Sequence, residues 1–252
     1  MNFILLVTYA LLAGVVSAVL LSIVQGEKMD SLNLDENGNI NPMLPWWIGL
    51  SLIHVGIVYG WAYLLYHLNV IKLYDKHDSF WVGILFFFGY WVIFESWYWM
   101  SHRLQHYSHC FGTFTGHKGG LSEKFHHGMK APYGPDFLTA FSAHPFDDFI
   151  VQQAAQMPWI LSHLLGLITG KYLKISSLTY GITLSWLVFI GMRAHTRHSF
   201  GGSNHCKHHD DPSHGPYSFS GIPEGLYDLL MSRLFPVAAH VPEENLVPVN
   251  EL

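Results

Sequence analysis

Phe3 to Val24 runs for 22 residues without a charged side chain. As a helix it would be about 33 Å long, enough to cross the hydrocarbon core of a bilayer. Trp46 to Leu68 is a second apolar stretch, with Trp46 and Trp47 suited to the headgroup region. Phe80 to Met100 is a third, interrupted only by Glu95. Phe149 to Ile168 is weaker, carrying Gln152, Gln153, Gln156 and Pro158, and Ile175 to Met192 is a fifth. Three near-uniform apolar stretches are hard to bury in a soluble core of 252 residues. The expected fold is therefore all-α, a multi-pass integral membrane bundle of four to five spans. The fourth and fifth could form a re-entrant hairpin and return the chain to the same side.

Composition agrees. Hydrophobic residues make up 50% and charged residues 12%, the latter about half the share of a soluble domain. The formal net charge of −5 comes with no basic patch, which argues against nucleic acid as a partner. Two cysteines, Cys110 and Cys206, do not make a disulfide framework. The first stretch lacks a basic leader and a small-residue cleavage site, so it reads as a retained anchor. With the N-terminus outside and five crossings, the inner segments hold nine Lys or Arg residues (Lys28, Arg103, Lys118, Lys124, Lys130, Arg193, Arg197, Lys207, Arg233). The outer segments hold four, Lys72, Lys76, Lys171 and Lys174. The positive-inside rule then puts the loops after the third and fifth spans in the cytosol.

Those loops carry the chemistry. Of 18 histidines, six lie between 102 and 127 and six more between 195 and 214. Each cluster begins where an apolar helix ends. His102 and His106 are four apart in "SHRLQH" and share a helix face, with Glu95 seven residues earlier on the same face. "GHKGGLSEKFHHGMKAP" supplies His117, Glu123, His126 and His127; "RAHTRHSF" supplies His195 and His198; "SNHCKHHDDPSHG" supplies His205, His208 and His209. One tetrahedral metal needs three or four ligands, and two metals of higher coordination roughly eight to ten. This inventory points to a dinuclear site, in a His-rich cap on the helix ends. Imidazole alone does not select iron over zinc or copper. His54, His67, His77, His163 and His240 are isolated and are given no role; His109, His144 and His214 are intermediate.

The order His-x3-His, a His-His box, "AHP" and a late His-x2-His-His box resembles the fatty acid hydroxylase/sterol desaturase superfamily over roughly residues 90 to 235. "ESWYWMSHRLQH", "SAHPFDDF", "NHCKHH" and "LYDLLMSRLF" carry the resemblance together. Two departures stand out. The second box is usually His-x2-His-His, but Glu123 occupies the matching first position. The interval from His198 to His205 is also short for the family. Either His117, across Gly119 and Gly120, or Glu123 as a carboxylate completes the set.

The resemblance implies a non-haem di-iron oxygenase in a domain spanning 80–236, after anchor helices in 1–79 and before a tail in 237–252. Its metal ligands would be His102, His106, His117, His126, His127, His195, His198, His205, His208 and His209, with zinc able to substitute for iron in a purified sample. Glu95, Glu123 and Asp147, or its neighbour Asp148, would support them as acceptors for imidazole N–H groups. O2 would be co-substrate, and a lipid from the bilayer would be hydroxylated. Desaturation or aldehyde decarbonylation on the same site is the alternative. The chain carries no haem domain, nucleotide loop or four-cysteine iron–sulfur spacing, so electrons would come from a separate ferredoxin- or cytochrome-type protein and its reductase. A membrane metal transporter is the non-enzyme rival, but its ligands would sit near the bilayer midplane. A metalloprotease is disfavoured because no His-Glu-x-x-His occurs.

The orientation is testable with single cysteines near positions 120 and 212, in a background lacking Cys110 and Cys206. Impermeant reagent should label both only from the cytosolic face of sealed vesicles. Labelling only from the opposite face would reverse the topology.

Overall fold

The computed structural model describes residues 2–27, 39–122, 126, 140–196, 205, 208–209, 217–219 and 226–235. The helices are α1 (Phe3–Val24), α2 (Leu44–His67), α3 (Phe80–Tyr107), α4 (His109–Phe114), α5 (Pro145–Ile150), α6 (Met157–Thr169), α7 (Ser177–Ala194) and α8 (Leu226–Leu234). The chain is mostly helical, and α1, α2 and α3 are long and apolar enough to cross a membrane. Leu5, Leu12, Leu20, Leu52, Leu85 and Phe88 remain exposed along them. So much outward apolar surface suits helices that face hydrocarbon. The only strands among the described residues are Leu73–Tyr74 (β1) and Ile175–Ser176 (β2), paired in parallel with Leu73 opposite Ile175.

α1 and α7 pack side by side and in parallel. Phe3 stacks near Tyr180 at one end, and Ser22 and Gln25 meet Arg193 at the other. Small residues recur every fourth position along α1 at Ala10, Gly14 and Ala18. They let the backbones approach closely, as in many membrane helix pairs. At Gly14 a Cβ would lie 2.6 Å from the Ser185 carbonyl oxygen and 2.7 Å from Val188 Cβ. Arg193 is fully buried and donates to Ser22, Gln25 and Glu27, so it pins the end of α7 to the end of α1.

The fourth apolar stretch is broken. A short α5 leads into a 3-10 turn at Gln152–Ala155 before α6, which has only 13 residues and opens with Pro158 in its first turn. The glutamines and proline explain the break, because proline cannot donate to a preceding turn. Backbone groups freed in a lipid-like environment need internal partners. α3 supplies them: Trp97 Nε1 donates to the Ile150 carbonyl at 3.1 Å and Tyr90 Oη to that of Ala155. One apolar core joins α1 and α2 (Phe3, Leu6, Ala62, Leu65) to Tyr90, Trp159 and Tyr180, so it draws on both sides of residue 79.

The end away from the histidines is fastened by Asp78. It accepts from Ser176 N at 2.9 Å, Thr179 Oγ1 at 2.6 Å and Tyr74. Burial opposes the charge, yet the hydrogen bonds from Thr179, Tyr74 and Ser176 hold the Asp78 carboxyl down to about 2. Gly170 closes α6 with φ +71°, a left-handed cap that favours glycine.

Gly14→Ala should destabilise the protein by about 1–3 kcal/mol through overpacking, read as a lower thermal midpoint in detergent. Gly60→Ala is the control, since nothing lies within 4 Å of its added Cβ. Equal midpoints for the two variants would contradict the close α1–α7 contact.

Candidate metal centre

α3 carries His102 and His106 beyond its apolar part, one above the other, with their Nε2 atoms 3.3 Å apart. The chain then doubles back. Ser108 caps the short α4, and Gly112 allows α4 to press on α3, where a Cβ would meet the Gln105 carbonyl oxygen at 2.3 Å. Gly116 and Gly119 take positive φ, +72° and +69°, conformations that cost glycine little. The turn brings His117 Nε2 to 2.8 Å from His106 Nε2. His208 completes the first group, in which one ligand atom from each of His102, His106, His117 and His208 lies within 4.8 Å of the others.

The second group is His126, His195, His205 and His209, within the same 4.8 Å limit. His195 sits at the C-cap of α7. His205, His208 and His209 have helical backbone. Adjacent helical positions such as 208 and 209 point in different directions, and here the box serves both groups. The groups adjoin: ring centroids are 5.9 Å apart for His102 and His205, 5.8 Å for His205 and His208, and 6.0 Å for His208 and His209. All eight are buried except His106, which is half-buried.

The hydrogen bonds define which nitrogen is offered. Carbonyl and carboxylate oxygens can only accept, so a ring nitrogen bonded to one must carry hydrogen. His102 Nδ1 donates to the Tyr217 carbonyl at 3.2 Å, His205 Nδ1 to that of Ser218 at 3.2 Å, and His195 Nδ1 to that of Gly191 at 2.9 Å. His117 Nδ1 donates to Asp147 Oδ2 at 3.1 Å. In each neutral ring the lone pair then belongs to Nε2. At His205 this Nε2 is buried with no hydrogen-bond partner among the described residues. Burial, reinforced by neighbouring imidazoles, pushes His126, His205, His208 and His209 well below the ordinary imidazole range. Burial also takes His195 down to about 4. Neutral rings with converging lone pairs suit a metal cation, so these two groups could hold metal ions. The donor set does not identify the metal.

Asp147 organises the first group. Besides His117 it accepts from Gln105 Nε2 at 2.9 Å and Ser122 Oγ at 2.9 Å. Burial alone would raise its carboxyl, but the hydrogen bonds from His117, Gln105 and Ser122 hold it below the usual range. Ser122 Oγ also accepts from His144 N at 2.7 Å, and His144 Nδ1 caps α5 by accepting from Phe146 N. The "AHP" histidine thus serves as a helix cap. Asp148 turns the other way, to His54 Nδ1 at 2.7 Å; burial raises its carboxyl.

Of the ten histidines expected as ligands, His127 and His198 lie outside the described residues, as does Glu123. The other eight come together. Glu95 is fully buried, and its Oε2 accepts from Phe219 N at 2.9 Å. Sequence reasoning missed Gln105 and Ser122, whose partner is brought by another element, and set His54 aside as isolated. The only signal for His54 was a lone polar ring in an apolar helix. No protein-family model, curated protein or solved structure matches the chain.

Asp147→Asn should weaken divalent-metal binding at the His102 group by about 10- to 100-fold and spare the His126 group. Titration of detergent-solubilised protein with Co2+ measures both. His117→Ala should empty the first group, whereas Glu123→Gln should leave two metals bound. The reverse pattern would make Glu123 the ligand.

Proposed function

We propose that the chain is a membrane-bound non-haem di-iron oxygenase that hydroxylates an unactivated C–H bond of a lipid. One observation carries the reading: two adjoining, buried, all-imidazole groups meet at the end of α3, one of three helices long enough to cross a bilayer. The likeness of the histidine boxes to the fatty acid hydroxylase/sterol desaturase superfamily is what argues for iron and O2, since imidazole chemistry alone does not.

In this reading His102, His106, His117 and His208 hold one iron and His126, His195, His205 and His209 the other, with His127 and His198 as further ligands. Iron bound there supplies reduction of O2 and cleavage of the C–H bond. The chain contributes the rest. Asp147 keeps the proton of His117 on Nδ1, leaving Nε2 as donor to the metal. Burial favours the neutral form of His126, His195, His205, His208 and His209. A lipid enters sideways from the bilayer, so the apolar outer faces of the helices serve as its approach. α7 and the broken α5–α6 segment complete four to five spans, the histidine cap faces the cytosol, and electrons arrive from a separate redox protein. Placement of the imidazoles at helix ends favours the enzyme over a transporter, whose ligands belong in mid-membrane.

Anaerobically purified protein should contain two irons per chain by elemental analysis, and fewer after His102→Ala or His208→Ala. Cells expressing it under 18O2 should accumulate a lipid alcohol carrying the label. Metal-free protein, or iron content indifferent to both substitutions, would refute the di-iron centre. A labelled-alcohol yield of zero with an alkene formed instead would move the reaction to desaturation.

A further inference from the structure

The stretch Tyr217–Phe219 touches a histidine of each imidazole group and is buried throughout. Its two internal peptide groups are used in the same way. In the first, the Tyr217 carbonyl accepts from His102 Nδ1 and the Ser218 N–H donates to Asp228 Oδ1, both at 3.2 Å. In the second, the Ser218 carbonyl accepts from His205 Nδ1 at 3.2 Å and the Phe219 N–H donates to Glu95 Oε2 at 2.9 Å. Each peptide thus joins a carboxyl group to an imidazole, and the two imidazoles belong to different groups.

We infer that Asp228 and Glu95 are positioning residues that act on the two metal groups through consecutive peptide bonds, Asp228 on the His102 group and Glu95 on the His205 group. This rests on the reading of both groups as metal sites. The physical basis is cooperativity: an acceptor on a peptide N–H polarises its C=O, which then accepts more strongly from the imidazole N–H. A stronger acceptor at Nδ1 makes Nε2 a better donor to the metal and fixes the ring's orientation. A carboxylate held directly against the imidazole, as Asp147 is against His117, achieves this in one step; here the peptide transmits it.

The frame around the stretch is consistent with such a role. Asp228 lies on α8 and also accepts from Tyr217 N at 2.7 Å, Trp99 Nε1 at 3.0 Å and the Ser218 hydroxyl. Arg103 of α3 donates to the Phe235 carbonyl at 2.7 Å just past α8, and its guanidinium lies over Trp99. The position of α8 is thereby set by α3, which carries both Glu95 and His102.

The test isolates each group. In a His209→Ala background only the His102 group remains intact, and in His106→Ala only the other. Detergent-solubilised protein is titrated with Co2+, and the ligand-field absorption of the bound ion reports affinity and geometry. Asp228→Asn should weaken Co2+ about tenfold and shift the band in the His209→Ala background, with no change in the His106→Ala background. Glu95→Gln should do the opposite. The amides keep the size and one acceptor oxygen, so Asp228→Ala and Glu95→Ala should weaken binding further and Asn and Gln should restore part of it. If the parent protein binds no Co2+, the metal-site reading itself fails. If it binds two while Asp228→Asn and Glu95→Gln leave affinity and spectrum unchanged, the relay is refuted. Equal weakening of both groups, with a lower thermal midpoint, would also refute it by showing a structural effect alone.

Discussion

An imidazole taken out of water has two nitrogens of opposite character to satisfy, one carrying hydrogen and one carrying a lone pair. Leaving either without a partner costs about 1–3 kcal/mol. Here eight such rings meet at one end of a helix bundle. For His102, His117, His195 and His205 the outer nitrogen is bound to an oxygen that can only accept. The tautomer is therefore set from outside, and the inner nitrogens face one another with lone pairs. That arrangement is unfavourable by itself and becomes favourable with a cation between the rings. The partners that impose it come from α5, from α7 and from the Tyr217–Phe219 stretch, so the centre depends on how those elements are held.

They are held mainly by close helix contact and by buried polar ties. Gly14 and its small neighbours bring α1 against α7, and Arg193 locks the two ends together two residues before His195. α3, about 42 Å long at 1.5 Å per residue, exceeds a bilayer's hydrocarbon core and extends its last turns, with His102 and His106, past the apolar part. The same helix offers Tyr90 and Trp97 to carbonyls of the broken segment. A break among apolar helices is tolerated where protein donors meet its carbonyls, and it lets α5 present Asp147 to the first group and Asp148 to His54.

Local sequence determined a good deal. Apolar runs of membrane length allow helices and little else, and they appear as α1, α2 and α3, the last continuing seven residues past its apolar stretch to Tyr107. The i, i+4 spacing of His102 and His106 placed that pair on one helix face, because helical periodicity is a local property. The glutamines and Pro158 marked the weak fourth stretch that proved to be interrupted. Partition among distant elements was not legible. Nothing in the spacing says that His208 joins His102 while its neighbour His209 joins His126, or that His117 folds back through Gly112 and Gly116 onto α3. His54 and Asp148 are 94 positions apart, and His102 and Tyr217 are 115 apart. Such pairings arise only when helices pack, since chain separation carries no information about which buried donor will meet which acceptor. Sequence determined the helices and the supply of imidazoles; tertiary structure decided which nitrogen each ring presents and which group it joins.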